Sequence, residues 1–173
     1  PVKRTKTPDT WRSDGWKFIA DGKNQLPRKG VAKNVILFLG DGMGVSTITA
    51  SRIFEGQRRG ESGEENRLSF ENFPYRALSE TYSTNQQTSD SAPTMSAIMT
   101  GVKTNEGILS VDQRVVHDDY RTVAGHETKT LLEYAEEASK STGVVSTARL
   151  THATPVACYA HTPDRDWECD RDI

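Results

Sequence analysis

The stretch Asn34-Val35-Ile36-Leu37-Phe38-Leu39-Gly40-Asp41-Gly42-Met43-Gly44 decides the fold class. Its apolar run from Val35 to Leu39 is typical of a strand that is buried on both faces, as strands of parallel sheets are. A glycine-rich turn follows, and the residues from Ser46 to Arg58 then predict a helix. A strand that leads through a short turn into a helix is the unit from which α/β proteins are built.

Strands and helices also alternate along the rest of the chain. We predict further strands at residues 75–82 and 143–146, and helices at residues 90–100 and 127–140. The sequence therefore predicts an α/β fold with a largely parallel sheet flanked by helices. In such sheets, ligands bind outside the carboxyl ends of the strands.

The chain should contain two parts. The first is an arm with a short helix, at residues 1–30, where the first ten residues are polar and basic and a helix within residues 11–26 is capped by Asp9 or Thr10. The second part, residues 31–173, holds the strands and helices of the α/β domain. The start, Pro1-Val2-Lys3-Arg4, has neither an initiator methionine nor an apolar signal segment, as expected of a processed form or a piece of a longer chain.

Composition narrows the classes of function. The chain has 173 residues, 22 Lys and Arg against 24 Asp and Glu, and a formal net charge of -2, without the basic excess of a nucleic-acid-binding protein. We expect no nucleic-acid partner. No apolar run approaches the roughly 20 residues of a membrane span. The two cysteines, Cys158 and Cys169, are as compatible with a disulfide bond as with two free thiols.

The segment Ser89-Asp90-Ser91-Ala92-Pro93 has the pattern of a helix start, because proline is favoured in the first helical turn. Unpaired backbone N–H groups and the positive end of the helix dipole would then surround Ser91. Such a position suits an anion and a reactive serine oxygen. The alternative is that Ser89 or Asp90 does no more than cap the helix.

Asp41 and Arg165 are the other two charged residues with a chemical interpretation. A carboxylate between glycines suits a divalent cation, although Asp41 could instead cap the next helix. The guanidinium of Arg165 suits bidentate binding of a phosphate, although an ion pair with a neighbouring aspartate would be an ordinary surface contact. The glycines match neither the dinucleotide-binding fingerprint nor a phosphate-binding P-loop.

Ser91 needs an activating group. It does not lie in the G-x-S-x-G elbow of the α/β-hydrolases, and the nearest histidine in the sequence, His117, is far along the chain. A metal ion can take the place of a base, because coordination lowers the pKa of a bound oxygen.

Several motifs together resemble the alkaline phosphatases. They cover residues 31 to 170 in the order that the family has them, and the stretch around His152 resembles the animal and marine-bacterial members. The motifs are Asn34–Gly44, Ser89-Asp90-Ser91-Ala92, Gly101-Val102-Lys103-Thr104-Asn105, Ser146–Pro155, Tyr159-Ala160-His161 and Asp164-Arg165-Asp166-Trp167.

The resemblance implies hydrolysis of small phosphate monoesters over a broad substrate range. Ser91 would be the nucleophile and would become phosphorylated. Arg165 would bind the phosphate group, and Asp90 would orient Arg165. Phosphoryl transfer depends mainly on such positioning and on charge stabilisation.

The resemblance also implies two zinc ions and one magnesium ion in each active site. Asp41 would ligate a zinc ion and the magnesium ion, Ser91 would ligate the same zinc ion, and Thr154 would ligate magnesium. His152 would hold a water molecule beside the magnesium ion. The family's remaining metal ligands come from later sequence, so we expect the fold and the site to be incomplete in this chain, and the chain alone to be inactive or nearly so.

By resemblance we further expect a homodimer in the periplasm or outside the cell, where a Cys158–Cys169 disulfide would fit. Two other functions are possible from the residues. Ser91-Ala92-Pro93-Thr94-Met95 resembles the S-x-P-x-R signature of sulfatases in the same superfamily, with Met95 in place of the arginine. A non-catalytic nucleotide-binding α/β module is the other, and the glycine pattern argues against it.

Overall fold

The computed structural model describes residues 7–24 and 29–172, and the chain forms two compact units that divide between Leu78 and Ser79. Within its described part, the first unit contains two α-helices and a 3-10 turn: α1 (Pro8–Lys23), α2 (Val45–Arg58) and the turn Ser69–Asn72. The second unit contains three α-helices and a 3-10 turn: α3 (Ser91–Thr100), the turn Tyr120–Thr122, α4 (Leu131–Glu137) and α5 (Ala153–Val156). Among the described residues, no helix has the length and apolar character needed to cross a membrane.

Helix α1 forms where a helix was predicted, but it starts earlier. Its cap is Thr7, so the prediction of Asp9 or Thr10 as the cap is wrong. Thr7 and Thr10 cap each other's backbone N–H groups at 2.8 and 3.4 Å, and Pro8 fits the first turn because it has no N–H group to satisfy. Residues 1–6 of the predicted arm and the predicted helix end at Leu26 lie outside the described residues.

Helix α2 confirms the prediction at residues 46–58 to within one residue. It is joined to the 3-10 turn by an ion pair between Arg52 and Glu71. This ion pair holds the pKa of the Glu71 carboxyl below its usual value. The first unit thus has a local electrostatic link between its second helix and the segment that follows.

The predicted strands do not form among the described residues. Residues 34–39, 75–82 and 143–146 have no strand pairing, and the bridges found within residues 7–24 and 29–172 are the isolated pairs Leu109–Thr162 and Val111–Glu127. Side chains of the first stretch are open to solvent, with Val35 85% and Phe38 91% exposed. A strand needs hydrogen-bonding neighbours along its edges, and the described residues pair with none of these stretches. The parallel sheet therefore stays a prediction.

The core of the second unit lies between α3 and α5. Ala92 and Met95 from α3 pack in one cluster with Ala153 from α5 and with Ala157 just beyond it. Met99, Leu109 and Cys158 complete this buried cluster. Since Ala92 follows Ser91, and Ala153 lies between His152 and Thr154, this packing joins the two segments that carry predicted site residues.

Helix α4 is shorter than the predicted helix at residues 127–140. It starts after Thr130, whose side chain and backbone form a capping box with Glu133. It ends before Ser139, which has a positive φ of 57° that a helix cannot contain. The apolar periodicity predicted the helix, and the cap and this left-handed residue set its length.

Both cysteines are free thiols in the structure, so the disulfide alternative is not formed here. Cys158 is buried in the core of the second unit, and its burial raises the pKa of the thiol. Cys169 is exposed.

Candidate active site

Ser91 is the first residue of α3, and Asp90 is the cap of that helix. The Ala92 N–H donates to Asp90 Oδ1 at 3.1 Å, while the Asp90 backbone is extended, as a capping residue requires. The predicted helix start is confirmed. Ser91 therefore lies where the first N–H groups of a ten-residue helix and the positive end of its dipole meet.

Arg165 reaches this helix start from a segment far along the chain. Its Nη1 donates to Asp90 Oδ2 at 2.7 Å and to Ser91 Oγ at 3.2 Å. About a quarter of each side chain of the ion pair is exposed, 23% for Arg165 and 25% for Asp90. The structure thus brings three of the predicted site residues into one constellation that is accessible from solvent.

His152 and Thr154 lie together at the start of α5. His152 caps this short helix, and the Thr154 N–H donates to His152 Nδ1 at 3.4 Å. The packing of α3 on α5 described above links this helix start to that of α3.

The segment before His152 is anchored to the end of the chain. Arg149 pairs with Glu168, and Thr151 Oγ1 donates to Glu168 Oε2 at 2.7 Å. The bonds from Arg149 and then from Thr151 lower the pKa of Glu168 to about 2. A charged Glu168 therefore holds the loop that leads into His152 and Thr154.

Asp41 belongs to the first unit and lies in the predicted glycine-rich turn. Two hydrogen bonds define that turn, from Met43 N–H to Gly40 O at 3.2 Å and from Gly44 N–H to Gly42 O at 2.9 Å. The side chain of Asp41 is exposed. Over residues 7–24 and 29–172, no three or more His, Cys, Asp or Glu side chains form a group that could hold a metal ion.

Two residues next to one another contact the site and were missed by sequence reasoning. Glu106 Oε1 accepts the backbone N–H of Asp90 at 2.9 Å, and the carbonyl oxygen of Gly107 accepts the backbone N–H of Arg165 at 2.8 Å. Both residues directly follow the motif Gly101–Asn105, which is the one signal in the sequence that points to this segment.

Comparison with known proteins places the chain in a family. The family model for alkaline phosphatase matches residues 32–173. The tissue-nonspecific alkaline phosphatase of Gallus gallus is 46% identical over 172 residues, which are 99% of this chain and 33% of that protein. An alkaline phosphatase of Gadus morhua is 50% identical over 149 residues, which are 86% of this chain and 31% of that protein. The chain thus spans about a third of the length of these relatives.

Solved structures agree with the sequence comparison. The alkaline phosphatase of the Antarctic bacterium TAB5 matches with a TM-score of 0.59 and 29% identity, over 74% of this chain and 32% of that chain. A cold-active alkaline phosphatase of a psychrophilic Shewanella species matches with a TM-score of 0.63 and 28% identity, over 74% of this chain and 29% of that chain. The resemblance seen in the motifs is confirmed, and the chain belongs to the alkaline phosphatase family.

Proposed function

We propose that the protein of which this chain is a part hydrolyses phosphate monoesters through a phosphoserine at Ser91, with a broad range of small substrates. The observation that carries the proposal is the bond from Arg165 to both Asp90 and Ser91 at the start of α3. A fixed guanidinium, a hydroxyl and a helix N-terminus in one place suit a tetrahedral anion.

The reaction has two displacements at phosphorus. In the first, Ser91 Oγ loses its proton and bonds to phosphorus, and the bond from phosphorus to the ester oxygen breaks. The ester oxygen takes up one proton, so the leaving group departs as the alcohol. In the second, a water oxygen bonds to phosphorus, the bond to Ser91 Oγ breaks, and inorganic phosphate leaves while the hydroxyl is restored. The sum is one ester and one water converted to one alcohol and one phosphate.

In both displacements, Arg165 would hold the non-bridging phosphoryl oxygens. Arginine has five N–H donors in a planar fork, more than its bonds to Asp90 and Ser91 use. Asp90 would keep that fork in place through its 2.7 Å contact. Such positioning and charge stabilisation supply most of the catalysis in phosphoryl transfer.

We further propose that the whole protein binds two zinc ions and one magnesium ion. Asp41 would ligate one zinc ion and the magnesium ion, Ser91 would ligate the same zinc ion, and Thr154 would ligate magnesium. His152 would hold a water molecule beside the magnesium ion. Carboxylate and hydroxyl oxygens fit the hard magnesium ion, and zinc also accepts carboxylate oxygen. The number of ligands among the described residues does not complete a site. Later sequence would supply the others. When bound, such ions would lower the pKa of the attacking hydroxyl and offset charge on the phosphoryl oxygens.

Family membership is the support for the remaining proposals. Residues 1–30 would form an arm with a short helix and residues 31–173 the first part of the catalytic domain. The whole protein would be a homodimer that acts in the periplasm or outside the cell. The sulfatase alternative is not favoured, because the relatives are named alkaline phosphatases and Met95 replaces the arginine of the sulfatase signature.

The test uses the full-length, metal-loaded protein and p-nitrophenyl phosphate. The change Ser91→Ala should lower kcat on the order of 10³-fold or more, because the nucleophile is lost, and a chelator should abolish the activity of the unchanged protein. After an acid quench, mass spectrometry should find phosphate on the peptide that contains Ser91.

A matched control is Ser89→Ala. The Ser89 hydroxyl donates to the backbone carbonyl of Asp90 at 3.1 Å, so this variant loses a serine hydroxyl at the same helix start without losing the nucleophile. Its kcat should stay within a few-fold of the unchanged protein. An active Ser91→Ala protein would contradict the proposal, and formylglycine at position 91 would favour the sulfatase.

A further inference from the structure

The dipeptide Glu106-Gly107 holds both halves of the candidate site. Glu106 accepts a hydrogen bond from Asp90, the residue before the proposed nucleophile. Gly107 accepts one from Arg165, which itself donates to that nucleophile. We infer that Glu106 is a positioning residue that sets the geometry of Asp90, Ser91 and Arg165. This inference rests on the proposed function, because the geometry that it concerns is that of phosphoryl transfer at Ser91.

On the nucleophile side, the chain before Ser91 is attached to residues 104–106 at several points. The Thr84 N–H donates to Thr104 O at 3.0 Å, and the Glu106 N–H donates to Asn85 Oδ1 at 2.8 Å. The hydroxyl of Ser83, which is 4% exposed, lies 3.4 Å from Glu106 Oε2. The Glu106 carboxylate thus spans from this buried serine to the Asp90 N–H, and it fixes the backbone at the point where α3 begins.

On the arginine side, residues 107–118 hold the segment that ends in Arg165. Leu109 and Thr162 exchange two backbone hydrogen bonds of 3.0 Å, and the Asp118 N–H donates to Pro163 O at 3.1 Å. Gly107 has a φ of +77°, and a Cβ atom there would lie 2.7 Å from His117 Nε2. The positive φ favours glycine here, because other residues rarely adopt it, so the carbonyl that receives the Arg165 N–H is placed by a constrained turn.

The two attachments act together because Glu106 and Gly107 are adjacent. Consecutive Cα atoms lie a fixed distance of about 3.8 Å apart. The Asp90 N–H and the Arg165 N–H are therefore both positioned relative to two consecutive Cα atoms, those of Glu106 and Gly107. Loss of the Glu106 carboxylate would release the Asp90 backbone, and the distance between Arg165 and Ser91 would change as a result. Misplacement of about 1 Å can cost on the order of 100-fold in rate.

The experiment compares three variants of the full-length, metal-loaded protein. Glu106→Ala removes the acceptor for the Asp90 N–H, and Glu106→Gln keeps an acceptor oxygen of the same reach. The matched control is Glu133→Ala, because Glu133 Oε2 accepts the N–H of Thr130, the cap of α4, at 2.7 Å and Glu133 is also half-buried. It therefore loses the same kind of bond at a helix that carries no site residue. Like Glu106, whose Oε2 lies 3.4 Å from Ser83, it also loses a second side-chain contact, that of Oε1 with His161 Nε2 at 3.3 Å.

The measurements are kcat, KM, the melting temperature and the dissociation constant of inorganic phosphate by calorimetry. Glu106→Ala should lower kcat/KM about tenfold or more and weaken phosphate binding, while Glu106→Gln should restore both to within about threefold. Glu133→Ala should lower the melting temperature and leave kcat/KM within about threefold.

The inference is overturned if Glu106→Ala keeps the kcat/KM of the unchanged protein, or loses no more of it than Glu133→Ala does. It is also overturned if Glu106→Gln is as impaired as Glu106→Ala, since the acceptor would then not be what matters. Absence of turnover and of phosphoserine in the unchanged protein is a different result, and it would reject the proposed function itself.

Discussion

At the scale of single residues, Asp90 uses its two carboxylate oxygens for two different structures. Oδ1 caps α3 through the Ala92 N–H, and Oδ2 holds Arg165. The stability of the helix and the position of the Arg165 guanidinium therefore depend on one side chain. The two roles can be separated, because the cap needs only an oxygen whereas the ion pair needs the charge.

The pair Asp90→Asn and Asp90→Ala separates these roles. Asparagine keeps an oxygen for the Ala92 N–H but turns an N–H₂ group toward Arg165, so KM for p-nitrophenyl phosphate should rise with little change in unfolding free energy. Alanine loses both contacts and should lower the unfolding free energy by about 1 kcal/mol more than asparagine does. Urea unfolding and steady-state kinetics measure the two effects. Equal stability of the two variants would show that the cap contributes nothing.

Residue-scale contacts were only partly predictable from the sequence. Arg165 stands between Asp164 and Asp166, so this motif alone favours a local ion pair. In the structure its close partner is Asp90 at 2.7 Å, whereas Arg165 Nε is 3.8 Å from Asp166 Oδ1. Glu106 could not be identified at all, because its partner is a backbone N–H group, which every non-proline residue carries.

At the scale of elements, the helices were predictable where the signals are local. Asp90 and Gly101 mark the two ends of α3, as the cap and as the left-handed residue after the last turn. The glycine-rich turn likewise marks the start of α2. These signals act within a few residues, so the sequence contains all of the information that is needed.

The strands differ because their signal is not local. The apolar run from Val35 to Leu39 indicates that this stretch is buried when it forms a strand. It does not indicate which residues would form hydrogen bonds along the edges of that strand. In the structure the run is unpaired and exposed. The chain spans about a third of the length of its relatives.

Helix α3 is attached to the core by a buried serine as well as by apolar packing. Ser96 is fully buried, its hydroxyl donates to Ala92 O at 2.7 Å, and it accepts the Ser110 N–H at 2.8 Å. Ser110 in turn donates to Ala157 O, just after α5, at 2.7 Å. A short polar chain therefore connects the helix of Ser91 with the end of α5.

We expect Ser96→Ala to lower the unfolding free energy of the full-length protein by about 1–3 kcal/mol, because the buried Ser110 N–H loses its partner. The matched control is Thr100→Ala, since the Thr100 hydroxyl makes the same bond one turn further on, to Ser96 O at 2.7 Å, but is only partly buried. Its loss should cost less, because water can replace it. Denaturant unfolding measures both, and equal losses would contradict this account.

At the scale of the whole molecule, charged pairs on the surface hold many of the connecting segments. Several carboxylates have a pKa below the ordinary value because an arginine, another hydrogen-bond donor or a backbone N–H group binds their charged form. They are Glu55, Glu71, Asp112, Asp119, Glu127, Glu133 and Glu168. The ionised form of each carboxylate is therefore more stable in the folded protein than in the unfolded chain.

This pattern predicts that stability falls in acid. A carboxylate with a lowered pKa in the folded state stabilises the fold above its unfolded pKa of about 4.5, and that contribution is lost as the pH falls toward the folded value. For Glu168 the folded pKa is about 2. The melting temperature of the full-length protein, followed by circular dichroism, should therefore fall between pH 5 and pH 2. In Glu168→Gln the fall should be shallower, and a constant melting temperature in this range would contradict the prediction.

The two cysteine thiols differ in their accessibility to solvent, so their reaction with a thiol reagent indicates whether the chain is folded. Cys169 is open to reagents, whereas Cys158 is enclosed in the core with a thiol that resists ionisation. They lie on opposite sides of Arg165 in the sequence. An alkylating dye would therefore attach at one place in the native state and at two after denaturation, so its stoichiometry would count unfolded molecules without any engineered label.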